Sequence, residues 1–175
     1  MKLRELIQPM RKNAQKVSSL KSDSEENLSP HLELGLRGEK LAALLLESEG
    51  YSLVASNFTL PVGRNTRGVV VNGEIDIIAY DNQTLCFVEV KTRTSDEFAA
   101  PEANVDRRKQ RQITRAARAY RRMFGLMGCE YRYDVVSVVL PKEDTGKPQR
   151  LEILKNFWTD AKFRKRRWSY EDFTH

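Results

Sequence analysis

Between Gly73 and Arg93 the chain reads GEIDIIAYDNQTLCFVEVKTR, and few folds accommodate such a stretch. Two runs rich in Ile, Val and Phe, Val70–Tyr80 and Leu85–Arg93, flank the turn-forming tetrapeptide Asp81-Asn82-Gln83-Thr84. The pattern predicts a β-hairpin. Counting outward from the centre of the turn sets Ile78 opposite Phe87, Asp76 opposite Glu89 and Glu74 opposite Lys91. Because side chains alternate along a strand, all of these share one face. The other face carries Ile75, Ile77 and Ala79 against Val90, Val88 and Cys86. Apolar residues on both faces near the turn predict a sheet covered on two sides.

Like charges directly opposed across two strands are destabilising. An Asp76–Glu89 pairing therefore requires either a protonated carboxylate or a cation between the two. Lys91, two residues beyond Glu89 on the same face, completes a metal-and-lysine pattern. A surface ion-pair ladder, with Lys91 balancing Glu74 or Glu89, accounts for the same residues without any chemistry.

Upstream, Ser29-Pro30 is a helix start, with Ser as N-cap and Pro at the first helical position. The helix is expected to reach Glu49 and stop at Gly50, with Leu34, Leu41, Leu44 and Leu45 as its main apolar stripe. Glu39 lies on an adjoining stripe with Gly35, Leu36, Ala43 and Leu46, where it either points toward the sheet or is a solvated helix glutamate. Tyr51–Leu60 alternates as a strand. The segment 61–73, carrying Arg64 and Arg67, is a loop or a β-extension that either tracks a phosphate backbone or is simply exposed.

Downstream, Pro101 and Glu102 are expected to open a long helix ending near Phe124. Val105, Ile113, Ala116, Ala117 and Tyr120 form its core face. The remainder is basic: Arg107, Arg108, Lys109, Arg111, Arg115, Arg118, Arg121 and Arg122, opposed only by Asp106. Without acidic i,i+4 partners such a run repels itself, which favours contact with an anionic chain over a merely solvated face. A loop (Gly125–Glu130), a strand over YRYDVVSVVL, a turn and a last strand over Leu151–Asn156 complete the pattern. Residues 1–28 read as an arm and 157–175 as a tail that interleaves aromatics with cations, leaving a single domain over 29–156. The tail aromatics either stack on bases or pack back onto the body.

The chain carries 30 Lys+Arg against 24 Asp+Glu, a formal charge of +6, so an anionic partner is expected and nucleic acid suits it best. No apolar run approaches a membrane span and no signal peptide is visible, which points to a cytoplasmic protein without a membrane partner. Cys86 and Cys129 form no CxxC pair, and His31 and His175 offer little support for histidine-dependent catalysis.

The order helix, three strands, helix, strand, set beside Asp76…Glu89-Val90-Lys91, resembles the PD-(D/E)xK nuclease core. More narrowly, the chain resembles the YraN family of predicted endonucleases, related in fold to Holliday-junction resolvases. The residues carrying the likeness are Gly38-Glu39, Gly50-Tyr51, Asn57, Gly73-Glu74-Ile75-Asp76, Phe87 to Arg93, Lys109 and Arg132 to Val136. The resemblance implies an α/β fold with a restriction-endonuclease-like αβββαβ core, its mixed central sheet flanked by helices. It implies magnesium or manganese held by Asp76, Glu89 and the Val90 carbonyl, with Lys91 positioning or activating the attacking water. Glu39 would contribute from the first helix, and Arg93, Arg107, Arg108, Lys109, Arg111 and Arg115 would meet nucleic acid, DNA in the first instance. Resolvase-like action would call for a homodimer. Two functions stay open on this reading: a metal-dependent endonuclease, and a non-catalytic nucleic-acid-binding or assembly protein that retains the nuclease fold.

Overall fold

The computed structural model describes residues 29–94, 105–141 and 148–163. The arm over 1–28, the expected helix start at Pro101-Glu102, and the tail cations and aromatics from Arg164 onward lie outside the described residues. The elements run α1 (Pro30–Ser48), β1 (Ser52–Arg64), β2 (Val70–Asp81), β3 (Thr84–Thr94), α2 (Arg107–Met123), β4 (Tyr131–Leu140) and β5 (Arg150–Trp158). A 3-10 turn, Asp160–Phe163, follows. The strands form one sheet in the order β1-β2-β3-β4-β5. Neighbours are antiparallel except β3 and β4, which run parallel. Parallel neighbours need a crossover, and α2 lies in it. This is an α/β fold consistent with a restriction-endonuclease-like core, with one further strand, β5, at the edge.

The hairpin register follows the turn. Asp81 pairs with Thr84 and Ile78 with Phe87, while Asn82 takes the left-handed φ of +54° that Asn tolerates. Rungs end at Ile77–Val88, one short of Asp76 and Glu89, while β3 stays paired with β4 as far as Thr94–Leu140. The strands therefore part where the charges begin. On the other side of β2 the rungs pass from Ser56–Ile77 to Phe58–Ile75, skipping Asn57 and Asp76, and Asn57 has a φ of +50°. That local turn of the backbone explains one departure from the expected alternation. Ile75 packs with Ile78, Phe87, Ile113 and Tyr120 on the α2 side, not with Ile77 and Ala79.

Both faces of the sheet are covered. Ile77, Ala79, Cys86, Val88, Val136 and Val138 meet Ala42 and Leu46 of α1. The α2 side buries Phe87, Tyr120, Tyr133 and Trp158, with Tyr133 and Trp158 stacked at 4.8 Å. Trp158 also donates its indole N–H to Thr114 Oγ1 at 3.0 Å, so this aromatic packs onto the body. β5 thus continues past the expected strand end at Asn156.

Two helix expectations need correction. Of the expected stripe, Leu34, Leu41 and Leu45 pack half-buried against the core, but Leu44 is 63% exposed, and the buried line of α1 is Gly38, Ala42 and Leu46. Small residues at i, i+4 spacing let its backbone approach the sheet more closely than a leucine stripe would. The second helix begins at Arg107, because the Asp106 carboxylate accepts the Lys109 backbone N–H at 2.7 Å and caps it there. Asp106 is the cap of the basic helix, not a lone counter-charge on its face. Among the described residues no helix is long and apolar enough to cross a membrane.

Candidate active site

The site lies where β2 and β3 separate. Asp76 uses one carboxylate oxygen in place of the missing ladder: its Oδ2 accepts the Val90 backbone N–H at 2.8 Å. Its Oδ1 is left facing outward from that bond. Glu89 is 1% exposed, and its Oε1 lies 2.9 Å from Lys91 Nζ. The ion-pair alternatives for Lys91 resolve on Glu89; Glu74 is exposed on the surface.

Of the two alternatives, a protonated carboxylate or a cation between the pair, a side chain of α2 supplies a cation. Lys109 Nζ lies 3.1 Å from Glu89 Oε2 and 3.8 Å from Asp76 Oδ1. Lys109 sits one turn before buried Ile113, on the line that continues through Ala116, Ala117 and Tyr120. Its own backbone is pinned by the Asp106 cap. Gly73 lets α2 come close: a Cβ there would stand 2.7 Å from Val62 Cγ1 and 2.9 Å from Ala116 Cβ. The expected phosphate-contact lysine therefore rests on the carboxylates themselves. Burial pushes the Glu89 carboxyl up, and the neighbouring Asp76 charge adds to it, giving a value of about 7 despite both lysines. Burial acts to lower the Lys109 pKa, but Asp76 and then Glu89 outweigh it and hold the ammonium above its ordinary value.

Glu39 approaches from the other face. Gly38 makes this approach possible, since a Cβ there would fall 1.7 Å from Thr92 Oγ1. Glu39 Oε2 accepts from Asn57 Nδ2 at 2.8 Å, and Glu39, Val90 and Lys91 line one cleft of about 220 Å3 with His31, Leu34, Gly35 and Thr92. Asn57 is thus the residue that couples α1 to the point where β2 turns. Its signal in the sequence was an Asn inside a strand, at a backbone conformation few other side chains accept.

The oxygens suit a hard divalent cation. Glu89 Oε2 is buried and receives no hydrogen bond; Lys109 touches it ionically but out of hydrogen-bond alignment. Asp76 Oδ1 and Glu89 Oε2 face one shared position, held by the single ammonium of Lys109. Among the described residues no three His, Cys, Asp or Glu side chains are grouped to hold a metal ion, and the site offers the two carboxylates of Asp76 and Glu89.

The remaining basic residues are not one set. Arg107 and Arg108 are exposed in the first turn of α2, beside Lys109. Arg111 lies over the Phe163 ring at 5.8 Å, and Arg115 donates to the Val62 carbonyl at 3.4 Å. Arg118 pairs with Asp160 at 3.1 Å, and Arg121 is buried, donating to the Met127 carbonyl and covering the Tyr131 ring. Arg93 is half-buried near the end of β3.

With this geometry in place, the comparisons with known proteins converge. The model of "Uncharacterised protein family UPF0102" matches residues 38–138, from the glycine that docks α1 to near the end of β4. The chain belongs to the UPF0102 family. This is the YraN family to which the sequence resemblance pointed. A UPF0102 protein of Desulfosudis oleivorans is 38% identical over 129 residues, which is 74% of this chain and 92% of that protein. One of Geobacter sulfurreducens is 39% identical over 123 residues, 70% of this chain and 86% of its own. One of Chlorobium chlorochromatii is 43% identical over 106 residues, covering 61% and 74%. A crystal structure named SSO0001 overlaps 90% of this chain at 13% identity with a TM-score of 0.34, a likeness too slight to argue from.

Proposed function

We propose that this UPF0102 protein is a metal-dependent endonuclease that hydrolyses phosphodiester bonds of nucleic acid, with DNA as substrate. The observation that carries the reading is the convergence of Asp76 Oδ1 and Glu89 Oε2 on one cation position beside Lys91. Asp76, Glu89 and the Val90 carbonyl would hold magnesium or manganese. Such an ion, when bound, lowers the pKa of its water and offsets charge on the phosphoryl oxygens. The Val90 N–H fixes the Asp76 carboxylate, so little reorganisation is needed at that ligand. Lys91, a third exposed and held on Glu89 Oε1, orients the attacking water and neutralises developing charge. Glu39, steadied by Asn57, lines the cleft through which that water reaches Lys91. Arg107 and Arg108 present the phosphate-binding surface next to the site.

The test is a cleavage panel of linear, nicked, flapped and four-way-junction DNA with magnesium or manganese. Asp76→Ala and Lys91→Ala are expected to lose at least about a hundredfold in rate while keeping the wild-type circular dichroism spectrum. Cleavage that survives both changes would sink the assignment. Preference for the four-way junction would go with two copies about a two-fold axis, visible by analytical ultracentrifugation. One observation favours a second reading: Lys109 already neutralises the carboxylate pair. A protein that only binds or assembles on nucleic acid would show salt-sensitive binding with no turnover on any member of the panel.

A further inference from the structure

On the reading that Asp76 and Glu89 hold a divalent cation, Lys109 acquires a role that differs from that of Lys91. The two lysines carry the same charge but occupy different seats. Lys91 touches Glu89 Oε1 and lines the cleft shared with Glu39. Lys109 touches the two oxygens that remain, Glu89 Oε2 at 3.1 Å and Asp76 Oδ1 at 3.8 Å. A divalent cation held by those carboxylates would need the position that the Lys109 ammonium now occupies. Lys91 need not move to admit the ion, whereas Lys109 must.

We infer that Lys109 is a built-in counter-ion of the site: its ammonium neutralises Asp76 and Glu89, and a divalent cation binds there only by displacing it. Three features make the placement a product of the fold. The Asp106 cap on the Lys109 N–H fixes the first turn of α2, and Gly73 permits the close approach of that helix. Ile113, one turn on, anchors the same line in the core. The Lys109 side chain is 31% exposed, so the ammonium has a route outward without movement of the backbone. Displaced, it stays on the first turn of α2, which also carries the exposed Arg107 and Arg108, and the phosphates of a nucleic acid chain would receive it there. The exchange transfers no proton: the ammonium stays charged and changes partner. By linkage, a bound polyanion that draws Lys109 out strengthens metal binding, and bound metal strengthens the hold on the polyanion.

Calorimetric titration of the full chain with Mn2+ alone tests the exchange on wild type, Lys109→Met and Lys91→Met. Lys109→Met is expected to tighten Mn2+ binding by about tenfold or more, because the ion no longer has to evict a cation in contact with both ligands. Lys91→Met removes the same charge from one ligand only and is expected to change Mn2+ affinity by less than about threefold. Equal affinity in wild type and Lys109→Met, or equal tightening in both variants, overturns the counter-ion role and leaves the metal site standing. No Mn2+ binding in any of the three removes the metal site and the counter-ion role together. Lys109→Gln, which can still hydrogen-bond the carboxylates, replaces Lys109→Met if circular dichroism shows that the latter does not fold.

Discussion

Arg132 shows how much a single side chain carries away from the candidate site. Its Nε donates to both oxygens of Asp134, at 3.0 and 2.9 Å, and its Nη2 to Asp81 Oδ2 at 2.6 Å and the Tyr51 hydroxyl at 2.8 Å. Asp134 is fully buried and also accepts the Asn156 backbone N–H at 2.9 Å. This one guanidinium therefore ties the end of β2, the start of β4 and the residue that precedes β1. Removing it strands a buried carboxylate with a single donor, so Arg132→Met is expected to cost about 3–5 kcal/mol in chemical denaturation. Arg132→Lys should recover less than half of that, because an ammonium cannot reproduce the planar fork. A loss below about 1 kcal/mol would mean that water solvates Asp134 in the variant. Glu89 is the converse case: burial raises its pKa to about 7, but two lysines compensate it in place.

Each helix reaches the site through a glycine. Gly38 brings α1 against Thr92 of β3, and Gly73 admits α2 to β2. The two approaches come from opposite faces: Glu39 lines the cleft beside Val90 and Lys91, while Lys109 reaches Asp76 and Glu89. A methyl group at residue 38 would overlap Thr92, whose Cβ as well as Oγ1 stands in the way, so rotation of that side chain alone cannot relieve it. Gly38→Ala is expected to destabilise the fold by about 1–3 kcal/mol, and to impair cleavage beyond what the stability loss explains, because Glu39 moves with the helix. Thermal melting and cleavage measured on the same sample separate the two effects. An unchanged melting temperature would show that α1 shifts without strain.

Among the described residues, the basic surface of α2 is smaller than its sequence suggests. Arg118 and Arg121 are engaged with Asp160 and with the Met127 carbonyl, holding α2 to the 3-10 turn and to the loop after it. Arg107 and Arg108 lie exposed on the first turn of α2, the turn that also carries Lys109. Nucleic-acid affinity measured against salt concentration should distinguish these groups. Replacing Arg107 and Arg108 together by Ala is expected to reduce the slope of log K against log salt by about 1.8, the contribution of two phosphate contacts on duplex DNA. Arg118→Ala should leave the slope unchanged within about 0.3 and lower stability by roughly 0.5–1 kcal/mol. Similar slope losses in both variants would mean that the whole helix face meets the phosphates.

The hairpin register from the turn to Ile77–Val88, the two-sided sheet and the nearness of Asp76, Glu89 and Lys91 were legible in the sequence, because a turn and alternation determine which residues share a face. The Asp76–Glu89 and Glu74–Lys91 rungs do not form. The opposition of two carboxylates even demanded either a protonated carboxylate or a cation between them. Which cation lies there was beyond local pattern: Lys109 reaches the pair only because α2 crosses between two parallel strands, and chain order does not disclose how deep a helix docks. The same limit hid the inward line of α1, where Gly38 and Ala42 outrank Leu44, since close backbone approach favours small side chains that hydrophobicity overlooks. Ile75 changed sides because a strand pair ends and its neighbour twists, an event set by three strands together. Sequence alone therefore determined the residues of the Gly73–Arg93 stretch that carry charge and the face they share. Only the tertiary structure decided what meets them, because a buried charge takes its partner from whichever element packing brings within a few ångströms.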